Sequence, residues 1–141
     1  GIMSKSYSKI GKINRNEDEI YNFLSDFRNL DPLVPSDKIT NWQSDEDRCR
    51  FSIAGIGATG MRIVEKVPYK LIKLGSYKES PVSFNLWIQL KKMDEGDTRI
   101  RLAGEAKMNP LMNKALSKYL KKGLDGAVDK LTDFFNNKKD L

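Results

Sequence analysis

The sequence predicts an α+β domain in which a run of antiparallel strands is followed by one long helix lying across one sheet face. Two observations carry this. From Asn109 to Asn137 apolar residues recur at four-residue intervals, as in Leu111/Met112, Ala115/Leu116, Tyr119/Leu120, Leu124, Ala127/Val128, Leu131 and Phe134/Phe135. That spacing lines one broad face of a helix. Ahead of it, residues 37–108 divide into six strand-like segments separated by turn signals such as Gly55-Ile56-Gly57 and Asp94-Glu95-Gly96-Asp97. Connections this short join strands antiparallel. A twisted sheet wrapped around one long helix tends to leave a hollow between the two, and a site there is the functional expectation.

The elements are justified in chain order. Residues 4–14 read as a strand, but Tyr7 and Ile10 have opposite parity, which marks a bulge or an edge. Asn16-Glu17-Asp18-Glu19 resembles a capping box with acids in the first turn, and Ile20, Phe23, Leu24 and Phe27 follow at helical spacing. Asp31-Pro32 interrupts that helix, and Pro32 and Pro35 bracket a turn or a second short helix. Strands are expected at roughly 37–44, 47–55, 58–67, 69–78, 82–93 and 97–108. In the last two, Val82, Phe84, Leu86, Ile88 and Leu90 share a face, as do Ile100, Leu102, Gly104, Ala106 and Met108. Trp87 has the opposite parity, with Arg99, Arg101, Glu105 and Lys107 on the wet side of the last strand, as in a sheet packed on one side only. Asn109 caps the final helix, and Pro110 stands at its first position, where a missing N–H costs nothing.

The 141 residues read as a single domain, 1–141, with Gly1 as a tag remnant and 138–141 as a frayed tail. Hydrophobic content of 39% and charged content of 31% are those of an ordinary globular chain. No apolar run is long enough to cross a bilayer, and no signal-peptide pattern is present. The lone Cys49 cannot form an internal disulfide, so a reducing cytoplasm is expected. The chain contains no histidine. That removes Ser-His-Asp and Cys-His nucleophile systems, His-ligated zinc and imidazole acid–base chemistry. The formal charge is +6, but Lys and Arg are spread along the chain, so they read as solvated surface and no specific nucleic-acid partner is expected.

Several motifs have bland readings that outweigh sharper ones. Gly55-x-Gly57-x-x-Gly60 matches a dinucleotide fingerprint, but Met61-Arg62-Ile63-Val64-Glu65 behind it reads as strand, so a hairpin turn is expected. The acids at 45–47 and 94–97 read as solvated hairpin tips, with no metal site. Cys49 shares parity with Phe51 and Ile53 and reads as a small buried hydrophobe.

The element order resembles the helix-grip (START and birch-pollen-allergen-like, or SRPBCC) superfamily. The local phrases Ile13-Asn14-Arg15-Asn16, Glu19–Leu30, Thr98-Arg99-Ile100-Arg101-Leu102 and Met108-Asn109-Pro110 carry the likeness, closest in character to bacterial polyketide cyclase/dehydratase-like or lipid-transport-like branches. The resemblance implies a curved seven-stranded antiparallel sheet gripping the last helix, two short helices after the first strand, and a cavity closed at one end by those helices. Members bind lipids, sterols, polyketides or quinones, some are cyclases or dehydratases, and others are protein cofactors.

The first reading is therefore a binder or carrier of a small apolar molecule such as a lipid, quinone or polyketide, with no cofactor. Its expected wall is Phe51, Ile53, Met61, Ile63, Phe84, Leu86, Ile88, Ile100, Leu102, Met112, Leu116, Tyr119 and Leu120, with Phe27, Leu30 and Leu33 at a lid between the short helices and the hairpin loops. Tyr119 and Thr59, and more weakly Ser52 and Ser76, are its polar candidates, and Arg62 is expected to face outward. The second reading is a cyclase-type enzyme, whose acid or base would be Tyr119, Tyr69, Glu65 or Glu105, although no pair has a convincing catalytic spacing. The third is an interaction module acting through Trp87, the basic tail and the Arg99/Arg101 face. Composition does not choose among them, and oligomeric state is not readable.

Overall fold

A computed structural model of the chain describes the backbone of residues 4–107 and 110–141 and the side chains of 5–107 and 117–141. The elements run β1 (Ser4–Tyr7), β2 (Gly11–Ile13), α1 (Glu17–Leu24), a 3-10 helix (Phe27–Leu33), β3 (Ile39–Ser44), β4 (Arg48–Ile53), β5 (Gly57–Val67), β6 (Leu71–Ser76), β7 (Ser83–Asp94), β8 (Asp97–Lys107) and α2 (Pro110–Asn137). They form one antiparallel sheet ordered β1-β8-β7-β6-β5-β4-β3, with β2 also paired to β8. The sheet has eight strands where seven were expected, because the first strand is broken. Ser8 N donates to the Leu102 carbonyl and the Ser8 hydroxyl accepts from Leu102 N, each at 2.8 Å, which ties down the gap between β1 and β2.

Asn16 does not cap α1 through its side chain as the capping-box reading expects. Its amide oxygen accepts from Gly96 N at 2.7 Å, and the tip of the β7–β8 hairpin is pinned to the start of the helix instead. Asp26 does cap the 3-10 helix, accepting from Arg28 N at 3.0 Å and from the Arg28 guanidinium at 2.7 Å. That guanidinium holds the Asp26 carboxyl below its usual range.

The core lies between the concave sheet face and the C-terminal half of α2. Ile13, Ile72, Ile100, Val128 and Phe135 are fully buried there, with Ile20 and Phe27 from the short helices. Phe23, Phe134 and Phe135 meet with ring centroids 5.3–5.5 Å apart and lock α1 onto the end of α2. β2 passes so close beneath α2 that a Cβ on Gly11 would stand 2.7 Å from Val128 and 2.5 Å from Thr132. Polar ties fix the same crossing, since Asn136 receives the Asn14 N–H and donates to the Lys12 carbonyl.

The apolar stripe on α2 is narrower than its sequence pairs suggest. Leu120, Leu124, Ala127, Val128, Leu131 and Phe135 pack against the sheet, whereas Tyr119 is 71% exposed. Tyr119, Gly123 and Gly126 share a face at spacings of four and three, and a Cβ on either glycine would meet nothing within 4 Å. These glycines permit no close approach to the sheet, and they lower helix stability. Gly123→Ala and Gly126→Ala are each expected to stabilise the protein by about 1 kcal/mol, measured as a shift in urea midpoint without a change in m.

Candidate functional site

A cavity of about 330 Å³ opens between the sheet and α2, toward the ends of the β4–β5 and β6–β7 connections. Strand alternation builds its wall. Phe51 and Ile53 point inward from β4, Thr59 and Met61 from β5, Phe84 and Leu86 from β7, and Leu120 closes it from α2. Ile39 and Val82 complete the apolar lining, and Ala106, opposite Phe84, leaves space that a larger side chain would fill. Ile56 stands at the rim, 45% exposed, between Gly55 and Gly57. Those glycines have φ of +81° and +109°, so the fingerprint-like motif is a hairpin turn that needs left-handed backbone.

Two hydroxyls mark the wall. Thr59 Oγ1 and Ser80 Oγ are 2.6 Å apart, and Ser80 Oγ donates to the Val82 carbonyl at 2.7 Å. With its one proton on Val82, Ser80 receives the Thr59 proton, and Thr59 is left with unused acceptor lone pairs in an otherwise apolar wall. Glu105 borders the cavity by its strand, but its carboxylate lies across the sheet, accepting from Asn85 Nδ2 at 3.1 Å.

The structure sorts the sequence-derived site residues by where their side chains lie. Phe51, Ile53, Met61, Phe84, Leu86 and Leu120 line the cavity. Ile88, Ile100 and Leu102 are buried deeper in the filled core, with Ile63 packed against it. Phe27, Leu30 and Leu33 form no lid: Phe27 is 1% exposed, Leu30 packs on the core, and none of the three borders the cavity, because the 3-10 helix seals the core instead. Tyr119 is corrected outright, since it lies about 100° around the helix from Leu120 and points to solvent. Met112 and Leu116 fall outside the described side chains. Sequence reasoning missed Ile39, Ile56, Ser80, Val82 and Ala106. Of these, Val82 and Ala106 had the inward parity, while Ile39, Ile56 and Ser80 lie at strand ends and turns, where alternation says nothing.

Of the other proposed acids and bases, Glu65 and Tyr69 lie away from this cavity. Glu65 is exposed, and Tyr69 is 46% exposed on a turn at φ +68°, edge-on to Tyr21. Ser76 is committed to the backbone, accepting from Phe84 N at 3.0 Å. Trp42 is half-buried, stacked on Phe51 with centroids 5.7 Å apart and bonded through its indole N–H to Asp31. Arg62 faces outward as expected, opposite Arg48.

No protein-family model matches the chain, and no curated protein sequence matches it. Solved structures do resemble it. A truncated norcoclaurine synthase from Thalictrum flavum superposes with a TM-score of 0.75 at 12% identity, over 98% of this chain and 96% of that one. XoxI from Bacillus cereus gives 0.71 at 12% identity, over 95% and 96% of the two chains. The di-domain aromatase/cyclase BexL gives 0.71 at 13% identity, over 92% of this chain and 45% of that one. These likenesses show the helix-grip fold.

Cys49 lies under the same face, 2% exposed, and burial pushes its thiol up to about 12. A thiol held neutral is a poor nucleophile. Its folded-state value is raised, so the stabilisation it contributes is present below its ordinary value of 9.0 and is lost as pH rises from there toward 12. At pH 8 Cys49 is expected to react with a disulfide reagent at least 100-fold more slowly than in urea-unfolded protein, followed by release of the coloured thiolate; equal rates would show an open core.

Proposed function

We propose that this helix-grip chain binds and carries a small, largely apolar organic molecule in the cavity between its sheet and α2. The observation that carries the reading is the void itself. A filled helix-on-sheet core would leave no space of about 330 Å³ ringed by Phe51, Ile53, Met61, Phe84 and Leu86. That size falls at the small end of sites for compact ligands. Affinity would come from burial of apolar area, at roughly 25 cal/mol per Å² before binding costs. The unused lone pairs of Thr59 favour a ligand with one hydroxyl or N–H donor on an otherwise apolar frame, as in a phenol or a hydroxylated polyketide. A norcoclaurine synthase of this fold is seen in complex with dopamine and hydroxybenzaldehyde, which supports small organic ligands as a class. Carriage without chemistry is favoured over catalysis, because Glu65, Glu105, Tyr69 and Tyr119 all point away from the cavity. A reducing compartment suits the free thiol of Cys49.

Native mass spectrometry of protein purified from its own host is expected to show a co-purified small hydrophobe. Titration with a naphthol-type fluorophore provides a probe of the same site. Ala106→Trp is expected to fill the cavity and weaken probe binding at least 10-fold while the melting temperature holds or rises. Thr59→Val is expected to weaken the naphthol about 5- to 10-fold and its methyl ether hardly at all. Bare protein in the spectrometer, together with probe binding that ignores Ala106→Trp, would overturn the carrier reading.

A further inference from the structure

The outer face of the sheet, opposite the cavity, gathers cations that are far apart in the chain. Alternation and register place Lys5 and Tyr7 of β1, Lys73 of β6, Trp87 of β7 and Arg101 of β8 on this side. Trp87 lies directly between Lys73 and Ala103, and Ala103 faces Tyr7 on the next strand. The cations are stationed over the rings: Lys5 Nζ is 4.1 Å and Lys73 Nζ 5.2 Å from the Trp87 centroid, and the Arg101 guanidinium is 4.4 Å from that of Tyr7. Among the described residues none of the three is ion-paired. Glu105, directly opposite Lys5, accepts from Asn85 instead, Glu65 stands opposite Lys73 on β5 without an ion pair to it, and Arg101 Nε donates to Gln89 Oε1 at 2.7 Å. The band continues through Arg62, which faces Arg48 across β4 and β5, Arg48 itself being paired with Asp45 at 3.8 Å and Asp47 at 3.9 Å. The apolar stripe of α2 and the buried side of α1 belong to the core on the opposite face.

We infer that this face binds single-stranded nucleic acid without sequence preference, a role separate from the proposed cavity ligand. Backbone phosphates would engage Lys5, Lys73 and Arg101, which no carboxylate pairs among the described residues. Lysine side chains are long and flexible, so they can swing from the ring to a phosphate and leave the Trp87 and Tyr7 faces for bases. Rings interleaved with unpaired cations on an open sheet suit an anion that carries flat π-faces. Each nucleotide offers a flat π-face for a ring together with a phosphate for a cation, a pairing that neither the carboxylates of an acidic protein nor lipid headgroups supply. Strands about 4.8 Å apart and same-face residues about 7 Å apart set these groups on a grid that an extended strand can cross.

The test is fluorescence anisotropy of labelled 12-mer oligouridylate and oligothymidylate with the intact chain. Micromolar affinity is expected at about 50 mM salt, with a log–log salt slope near −2 for roughly three phosphate contacts. Trp87→Ala should weaken binding about 10-fold and Trp87→Phe should restore most of it; the Phe variant also keeps the test decisive if the Ala variant fails to fold. Lys73→Gln should flatten the slope by about 0.7, and Lys130→Gln, on α2, should change nothing. The inference is overturned by absence of binding at low salt, by matched polyglutamate or anionic phosphatidylserine vesicles binding as tightly as the oligonucleotides, or by equal affinity in Trp87→Ala and the unaltered protein.

Discussion

Burial of the α2 stripe against the concave sheet face is the constraint on which the rest of this molecule depends. β2 and β8 pack against α2 where Leu124 and Val128 are buried, and Phe135 also meets Phe23 of α1. The contact is tight enough to require a residue without a side chain at Gly11. It also fixes the direction of α2, because Asp125 accepts from Lys9 N at one end of the crossing and Asn136 bonds the β2 backbone at the other. With the helix seated there, Leu120 faces a cavity walled by side chains of β4, β5 and β7.

The sheet separates two chemistries by simple alternation. Its concave side holds Phe51, Met61, Phe84, Leu86 and Ala106 in and around the cavity, and its convex side holds Lys5, Lys73, Trp87 and Arg101. In β7 and β8 the partition is strict, since each inward pair, such as Leu86 with Gly104, is followed by an outward pair, such as Trp87 with Ala103. A one-residue slip of register would exchange the two faces entirely. The Ser8 contact to Leu102 and the Asn16 contact to Gly96 hold β8 and its hairpin against such a slip.

Much of the fold was legible from period alone. The six strands between residues 37 and 108 and the terminal helix appear within a few residues of their expected bounds, because alternation of period two and apolar recurrence near 3.6 are both strong over these lengths. The site was legible where those periods run. Seven residues expected at the site, Thr59 among them, do line the cavity, all on strands or the helix. Failures fall where a local rule met a competing partner. Asn16 has the right chemistry to cap a helix, but the Gly96 N–H competes for the same oxygen. Tyr119 is apolar enough to join a stripe, but the sheet covers only the arc centred on Leu120, Leu124 and Val128. Ser80 was invisible because its partner, Thr59, lies 21 residues away.

The sequence by itself determined the fold class, the inward and outward parity of β7 and β8 and the absence of imidazole chemistry, since all three depend on residue type and local spacing. Only the tertiary structure decided how much of the interior stays empty, which hydroxyls meet there, and that cations scattered through the chain stand together on one face. The physical reason is the antiparallel meander. It brings residues as distant as Lys5, Lys73 and Arg101 side by side, at separations that no local spacing encodes.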